Sequence, residues 1–198
     1  MYWSRPVPGF GDHQARVLIV GLAPGAHGAN RTGRLFTGDS SGQFLFSALY
    51  RAGFASRPDS HQRYDGLILR DAYLSAVCRC APPANKPSPQ ELIACRSFLE
   101  REVALLQHVR VIVALGRIAF DALLRLYPGK VRSLIEPSEE APLNSQRPVF
   151  KHAAVHALSA AGPWLVASFH PSRQNTQTGR LTPVMFDEVW DQTRRLLE

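Results

Sequence analysis

Residues 17–42 read VLIVGLAPGAHGANRTGRLFTGDSSG. An apolar run, VLIV, stops at a glycine. The stretch 21–42 then holds six glycines and no acidic residue before Asp39. A short, continuously apolar run suits a strand buried on both faces, as in a parallel sheet. Glycines directly after such a strand let the backbone approach a neighbour or a ligand closely.

Working outward, strands of this kind are expected at residues 16–20, 72–78, 109–115 and 164–169. Helical patterns lie between them. Residues 42–53 carry Phe44, Leu45, Leu49 and Tyr50 at helical spacing. Ser88-Pro89-Gln90-Glu91 combines a hydroxyl cap, proline at the first helical position and a glutamate three residues on. A long helix to about His108 follows. Residues 117–127 form another, ended by Pro128-Gly129. Thr182-Pro183 opens the last helix, which runs to the C-terminus. Residues 130–163, with Pro137, Pro142 and Pro148, are the least regular part and read as an excursion or hairpin. Strands alternating with helices predict an α/β fold, a three-layer αβα arrangement around a central four-stranded parallel sheet.

The bulk properties agree. A chain of 198 residues suits one domain with a real core, here spanning 1–198. No run of about 18 apolar residues occurs, so no spanning helix is expected. The N-terminal MYWSRPVPGFGD has no apolar signal segment, which leaves the cytoplasm as the default location. Net charge is +7, and 20 of the 23 basic residues are arginine, the side chain of forked phosphate contacts and base stacking. Three cysteines, Cys78, Cys80 and Cys95, argue by their odd number against a disulfide framework.

In an open parallel sheet, ligands bind beyond the carboxyl ends of the strands. The loop after residue 20, the segment CAPPANKP at 80–87, Gly116-Arg117, and HPSRQN at 170–175 all leave those ends, and so converge on one rim. Several motifs nearly fit the first loop. Gly21, Gly25 and Gly28 have the wrong spacing for a dinucleotide fingerprint. GANRTGRL at 28–35 approaches a P-loop, but Arg34 replaces the lysine and Leu35 cannot ligate magnesium. GDSSG at 38–42 matches the nucleophile elbow and, with His170, leaves a serine hydrolase using Ser40 open; the elbow needs a strand running straight into the serine, and residues 34–37 are a poor strand. The turn at 21–25 offers no acid, amide or nucleophile, so it cannot activate water by a side chain.

Two of these segments together, GLAPGAHGANRTGRLFTGD and HPSRQNTQTGRLTP, resemble the signature motifs of the uracil-DNA glycosylase superfamily, most closely its family 5, the type-b enzymes. CAPPANKPSPQELIAC, residues 80–95, resembles that family's middle segment. The resemblance spans nearly the whole chain. It implies a DNA-repair glycosylase that flips uracil, and other deaminated bases such as hypoxanthine, out of DNA and hydrolyses the N-glycosidic bond. A nucleic-acid-binding member of the same fold without turnover is the alternative.

Carried over by position, the resemblance gives Gly21, Ala23, Pro24 and Gly25 as the wall of the base pocket, with Ala23 where other families carry an acid or amide. Phe36 would stack on the base. His170 would face the base O2 edge, and Asp39 and Asn85 would be polar groups of the pocket. Ser172, Arg173, Gln174, Asn175, Arg31 and Arg34 would contact DNA. The leaving uracil anion delocalises charge onto O2, so a donor aimed there acts only as the transition state forms. The resemblance also implies a [4Fe–4S] cluster held by four cysteines. Cys80 and Cys95 match the second pair; the chain begins at the family's YW-RPVPGFGD segment, without the N-terminal cysteine-containing segment that supplies the first. Cys78 is read as a core thiol and not as a ligand.

Overall fold

The computed structural model describes residues 2–127, 132–133, 148–159 and 162–198. In chain order the elements are β1 (Phe10–Gly11), β2 (Val17–Gly21), α1 (Ala29–Thr32), α2 (Ser40–Arg51), β3 (Ala72–Ala76), α3 (Pro89–Leu105) and β4 (Val111–Leu115). They continue with α4 (Arg117–Leu126), β5 (Arg132–Ser133), β6 (Val155–Ala157), β7 (Trp164–Ser168), α5 (Arg173–Gln177) and α6 (Pro183–Arg195).

The four apolar runs become β2, β3, β4 and β7, which pair in parallel in the order β3-β2-β4-β7. Gly21 sits opposite Ala76, and Leu115 opposite Ser168, so the strands end nearly in line and their exit loops share a rim. The sheet does not stop at four strands. Among the described residues it has seven, with β1 antiparallel on β3 at one edge and β6 then β5 antiparallel beyond β7 at the other. The added strands are two or three residues long, too short to carry a readable alternation. The β5–β6 pair bears out a hairpin within 130–163; most of that stretch, and the helix stop at Pro128-Gly129, lie outside the described residues.

Alternate residues of each central strand point to opposite faces, and both faces are covered. Val17, Ile19, Val113 and Val166 pack against Leu45 and Leu49 of α2 and Phe186, Val189 and Trp190 of α6. Leu18, Val20, Ile112 and Leu165 pack against Leu99 of α3 and Phe120 and Leu123 of α4. This is why these strands read as unbroken apolar runs. The helix starts follow their sequence signals. Ser88 Oγ accepts from Glu91 N at 3.2 Å while Ser88 N donates to the Glu91 carboxylate at 2.7 Å, and Thr182 Oγ1 accepts from Met185 N at 3.3 Å. Among the described residues, no helix is long and apolar enough to cross a membrane.

Candidate active site

The loop after β2 folds back on itself and makes the first wall. Phe36 lies over the end of β2: a methyl group added to Gly21 would come 2.7 Å from its ring, so only glycine lets the aromatic settle there. Phe36 itself adopts a left-handed backbone, φ 53°, rare for an aromatic residue. Asp39 caps α2, its Oδ1 accepting from Gly42 N at 2.9 Å. Its other oxygen faces the glycine turn. A side chain on Gly28 would come within 2.7 Å of the Asp39 Cγ, and one on Gly25 within 3.0 Å of Oδ2. The loop thus has no acid of its own at Ala23 but holds the Asp39 carboxylate against its backbone. That carboxylate lines a polar cavity of about 340 Å³ with Arg31, Gly38, Gln43, Asp59 and His61.

The exit of β7 makes the second wall. His170 stacks on Phe36, with ring centroids 6.1 Å apart and planes inclined by 29°. Its Cβ rests against Gly116 at the end of β4. Its carbonyl accepts from Asn175 Nδ2 at 2.9 Å, which ties the start of α5 back to the strand end. Burial pushes the imidazole down to about 4 from its ordinary 6.5, so His170 is neutral at pH 7 and carries one ring N–H donor. The structure therefore brings Gly21, Phe36 and His170 together, with Asp39 joined to the same loop through Gly25 and Gly28. Ala23 and Pro24 lie between Gly21 and Gly25 in that turn.

Other site residues fare differently. Arg34 is not available to phosphate. It is buried, with a guanidinium that donates to Asp65 at 2.6 Å, Ser60 Oγ at 2.6 Å, Thr37 Oγ1 at 3.1 Å and the Arg63 carbonyl at 2.8 Å. A charge this buried needs a partner, and Asp65 lies too far along the chain for any local pattern to reveal it. Burial alone would raise the Asp65 carboxyl, but hydrogen bonds from Arg34 and from the backbone N–H groups of Leu67, His61 and Gln62 hold it well below the usual carboxylate range. Asn175 is half-buried and its Nδ2 donates to the His170 carbonyl at 2.9 Å. Ser172 caps α5, accepting from Asn175 N at 3.3 Å. Arg173 and Gln174 open that helix and are exposed, as is Arg31. Asn85 is exposed in a 3₁₀ turn at Pro83–Asn85 with a left-handed backbone, φ 56°, and its N–H closes on Pro82 O at 3.1 Å.

The serine-hydrolase reading fails on geometry. β2 ends at Gly21, Ser40 is the first residue of α2, and among the described residues no hydrogen bond links it to His170. A larger apolar cavity of about 400 Å³, lined by Leu92, Ile93, Leu99, Ile118 and Leu126, lies between α3 and α4 on the far side of the sheet from α2.

The cysteines depart from expectation in one respect. Cys78 is buried, yet its thiol faces Cys95, and Cys80 lies near the same residue. Burial first, then Cys95, push the Cys78 thiol up to about 12. Among the described residues, no group of three or more histidine, cysteine or acidic side chains is arranged to hold a metal ion. The three thiols of this chain do not by themselves fit a four-cysteine cluster.

Comparison with known proteins agrees with this geometry. A family model described as the uracil DNA glycosylase superfamily matches residues 8–194. A type-5 uracil-DNA glycosylase of Thermus thermophilus is 53% identical over 195 residues, covering 98% of this chain and 82% of that protein. The type-5 enzyme of Mycobacterium leprae is 47% identical, with 98% and 80% covered. That of Pyrobaculum aerophilum is 44% identical, with 95% and 75% covered. On this evidence the chain belongs to the uracil-DNA glycosylase superfamily, in its type-5 branch.

Proposed function

We propose that this protein hydrolyses the N-glycosidic bond of uracil in DNA, and of other deaminated bases such as hypoxanthine, leaving an abasic site. The observation that carries the reading is the neutral, half-buried His170 stacked on Phe36 at the mouth of the β2 loop. A flipped base lies against Phe36 and the bare turn of Gly21 to Gly25. The His170 N–H is a donor for O2 of the departing base, where negative charge gathers only as the bond breaks. A preorganised donor in a dry site supports that charge far better than water does.

Breaking the bond leaves an oxocarbenium-like sugar, which a weakly activated water can attack. This fits a first loop with alanine at position 23. The free oxygen of Asp39 either orients that water or stabilises the cationic sugar, while its partner oxygen keeps capping α2. Flipping costs a few kcal/mol for a paired nucleotide and less at a mismatch. Arg173, Gln174 and Ser172 at the start of α5, together with Arg31, contribute the DNA contacts beside the cleft. Asn85, on the neighbouring loop, supplies a further polar contact to the base.

The test is uracil release from a single-stranded or U:G oligonucleotide without added metal, read by alkaline cleavage at the abasic site. Release by the wild type and its loss in His170→Ala are expected. A clean, folded full chain that binds DNA with a steep salt dependence and releases no base would instead mark a binding member of the fold.

A further inference from the structure

Beside the cleft lies a surface that the reaction does not use. Trp3 is bound to the loop after β2: its backbone N–H donates to Asn30 O at 2.8 Å and its ring covers Gly33. The Arg63 guanidinium stands 4.3 Å from the Trp3 ring centroid and that of Arg5 4.9 Å. Arg63 also stands 5.7 Å from the ring of Tyr64, which is 86% exposed. Cations and rings therefore alternate as Arg5, Trp3, Arg63, Tyr64, and the last ring is open to solvent.

Two further features bear on what this surface holds. The neighbouring carboxylates are already engaged, Asp59 with Arg57 at 2.7 Å and Asp65 with Arg34 at 2.6 Å. Among the described residues neither Arg5 nor Arg63 has a carboxylate partner, so both can meet an anion. The surface also continues into the site. Arg63 Nη1 donates to Gly33 O at 3.1 Å, Gly38 N donates to Ser60 O at 3.2 Å, and Asp59 and His61 share the cavity of Asp39. A ligand with a flat ring and an anion at each repeat matches this alternation, and an unpaired DNA strand is such a ligand.

Building on the glycosylase reading, we propose that Arg5, Trp3, Arg63 and Tyr64 form a docking surface for the unpaired strand flanking the flipped nucleotide. One base stacks on the open Tyr64 ring, and the phosphates beside it meet Arg5 and Arg63. Tyr64 contributes little to the core, so its truncation leaves the fold intact.

The test is the affinity of the full chain for uracil-free DNA of about 16 nucleotides, single-stranded and duplex, by fluorescence anisotropy. Tyr64→Ala is expected to weaken single-strand binding about tenfold with an unchanged salt slope, and to leave duplex binding as it was. Tyr64→Phe retains the wild-type affinity. Arg5→Gln lowers the salt slope by about one. Single-strand affinity of Tyr64→Ala within about twofold of wild type, or an equal loss on duplex, overturns the stacking role. Uracil release by the wild type is measured separately. Release with no effect of Tyr64→Ala sinks this surface alone, whereas a selective Tyr64→Ala effect without release sinks the catalytic reading alone.

Discussion

The two walls of the cleft are built by different physics. The wall at the exit of β2 is held by charge: a buried Arg34–Asp65 pair, with Thr37 and Ser60 satisfying the remaining donors, fixes the segment that carries Phe36 and Asp39. The wall at the exit of β7 is held by burial: His170 packs on Phe36 and Gly116, and one amide from Asn175 anchors its carbonyl. The first arrangement gives rigidity but depends on every polar partner being present. The second withdraws a histidine from water, which keeps it neutral and makes it a donor without charge. In the proposed reaction one wall orients and the other sets the electrostatics of the leaving group.

Breaking the polar wall has the largest effect. Asp65→Ala leaves the Arg34 guanidinium buried and unpaired, and should cost about 3–5 kcal/mol in chemical denaturation. A loss below about 1 kcal/mol, the scale of an exposed pair, would mean that water reaches the site. Breaking the apolar wall acts on rate. His170→Ala should lower single-turnover uracil release by about 10²–10³-fold, the scale for removing one donor to a developing anion.

Asp39 sharpens the comparison because it both caps and faces the turn. Asparagine is a good cap without charge, so Asp39→Asn should keep stability and lose rate. Asp39→Ala should lose rate and also about 1 kcal/mol of stability. Equal rates in Asp39→Asn and wild type would leave Asp39 as a cap alone.

The smallest effect is the pH dependence of stability, which has the same sign at both walls but a different pH window at each. Burial in the fold lowers His170 from its ordinary 6.5 to about 4. As pH falls through that window the unfolded chain takes up the proton first, so stability falls. His156, also lowered by burial, adds in the same direction. Asp65 has a lowered folded value, so its contribution is present above its ordinary 3.8 and is lost only as pH falls below it. Melting temperatures of the wild type should therefore decline from about pH 6.5 to about 4. His170→Asn should flatten part of that decline and Asp65→Asn should not. Identical slopes in His170→Asn and wild type would contradict the burial account.

The sequence carried the parts of this molecule that depend on near neighbours. Four central strands are legible because both faces are buried, and the Ser88 and Thr182 helix starts because a cap acts over three residues. His170, Phe36 and Asp39 are legible through ordered motifs. Arg34 was not: on a basic loop it reads as a phosphate contact, and only the fold shows Asp65 reaching it from a later loop. The turn pair Asp65-Gly66 was the available signal, but nothing in its spacing points to Arg34. Asn175 reads as a DNA contact, and only the fold shows its amide bonded to the His170 carbonyl. The edge strands β1, β5 and β6 are too short to show a period, and Cys78 faces Cys95 from a buried position that alternation on a short strand does not reveal.

If neutral His170 stabilises the leaving base, the effect of removing it depends on the leaving group. Single-turnover release of uracil and of 5-fluorouracil, whose anion is more stable, is compared for wild type and His170→Ala. The penalty of His170→Ala is expected to be clearly smaller for 5-fluorouracil, because that anion needs less help at O2. An equal penalty for both bases would contradict this, and would move His170 from leaving-group stabilisation to positioning.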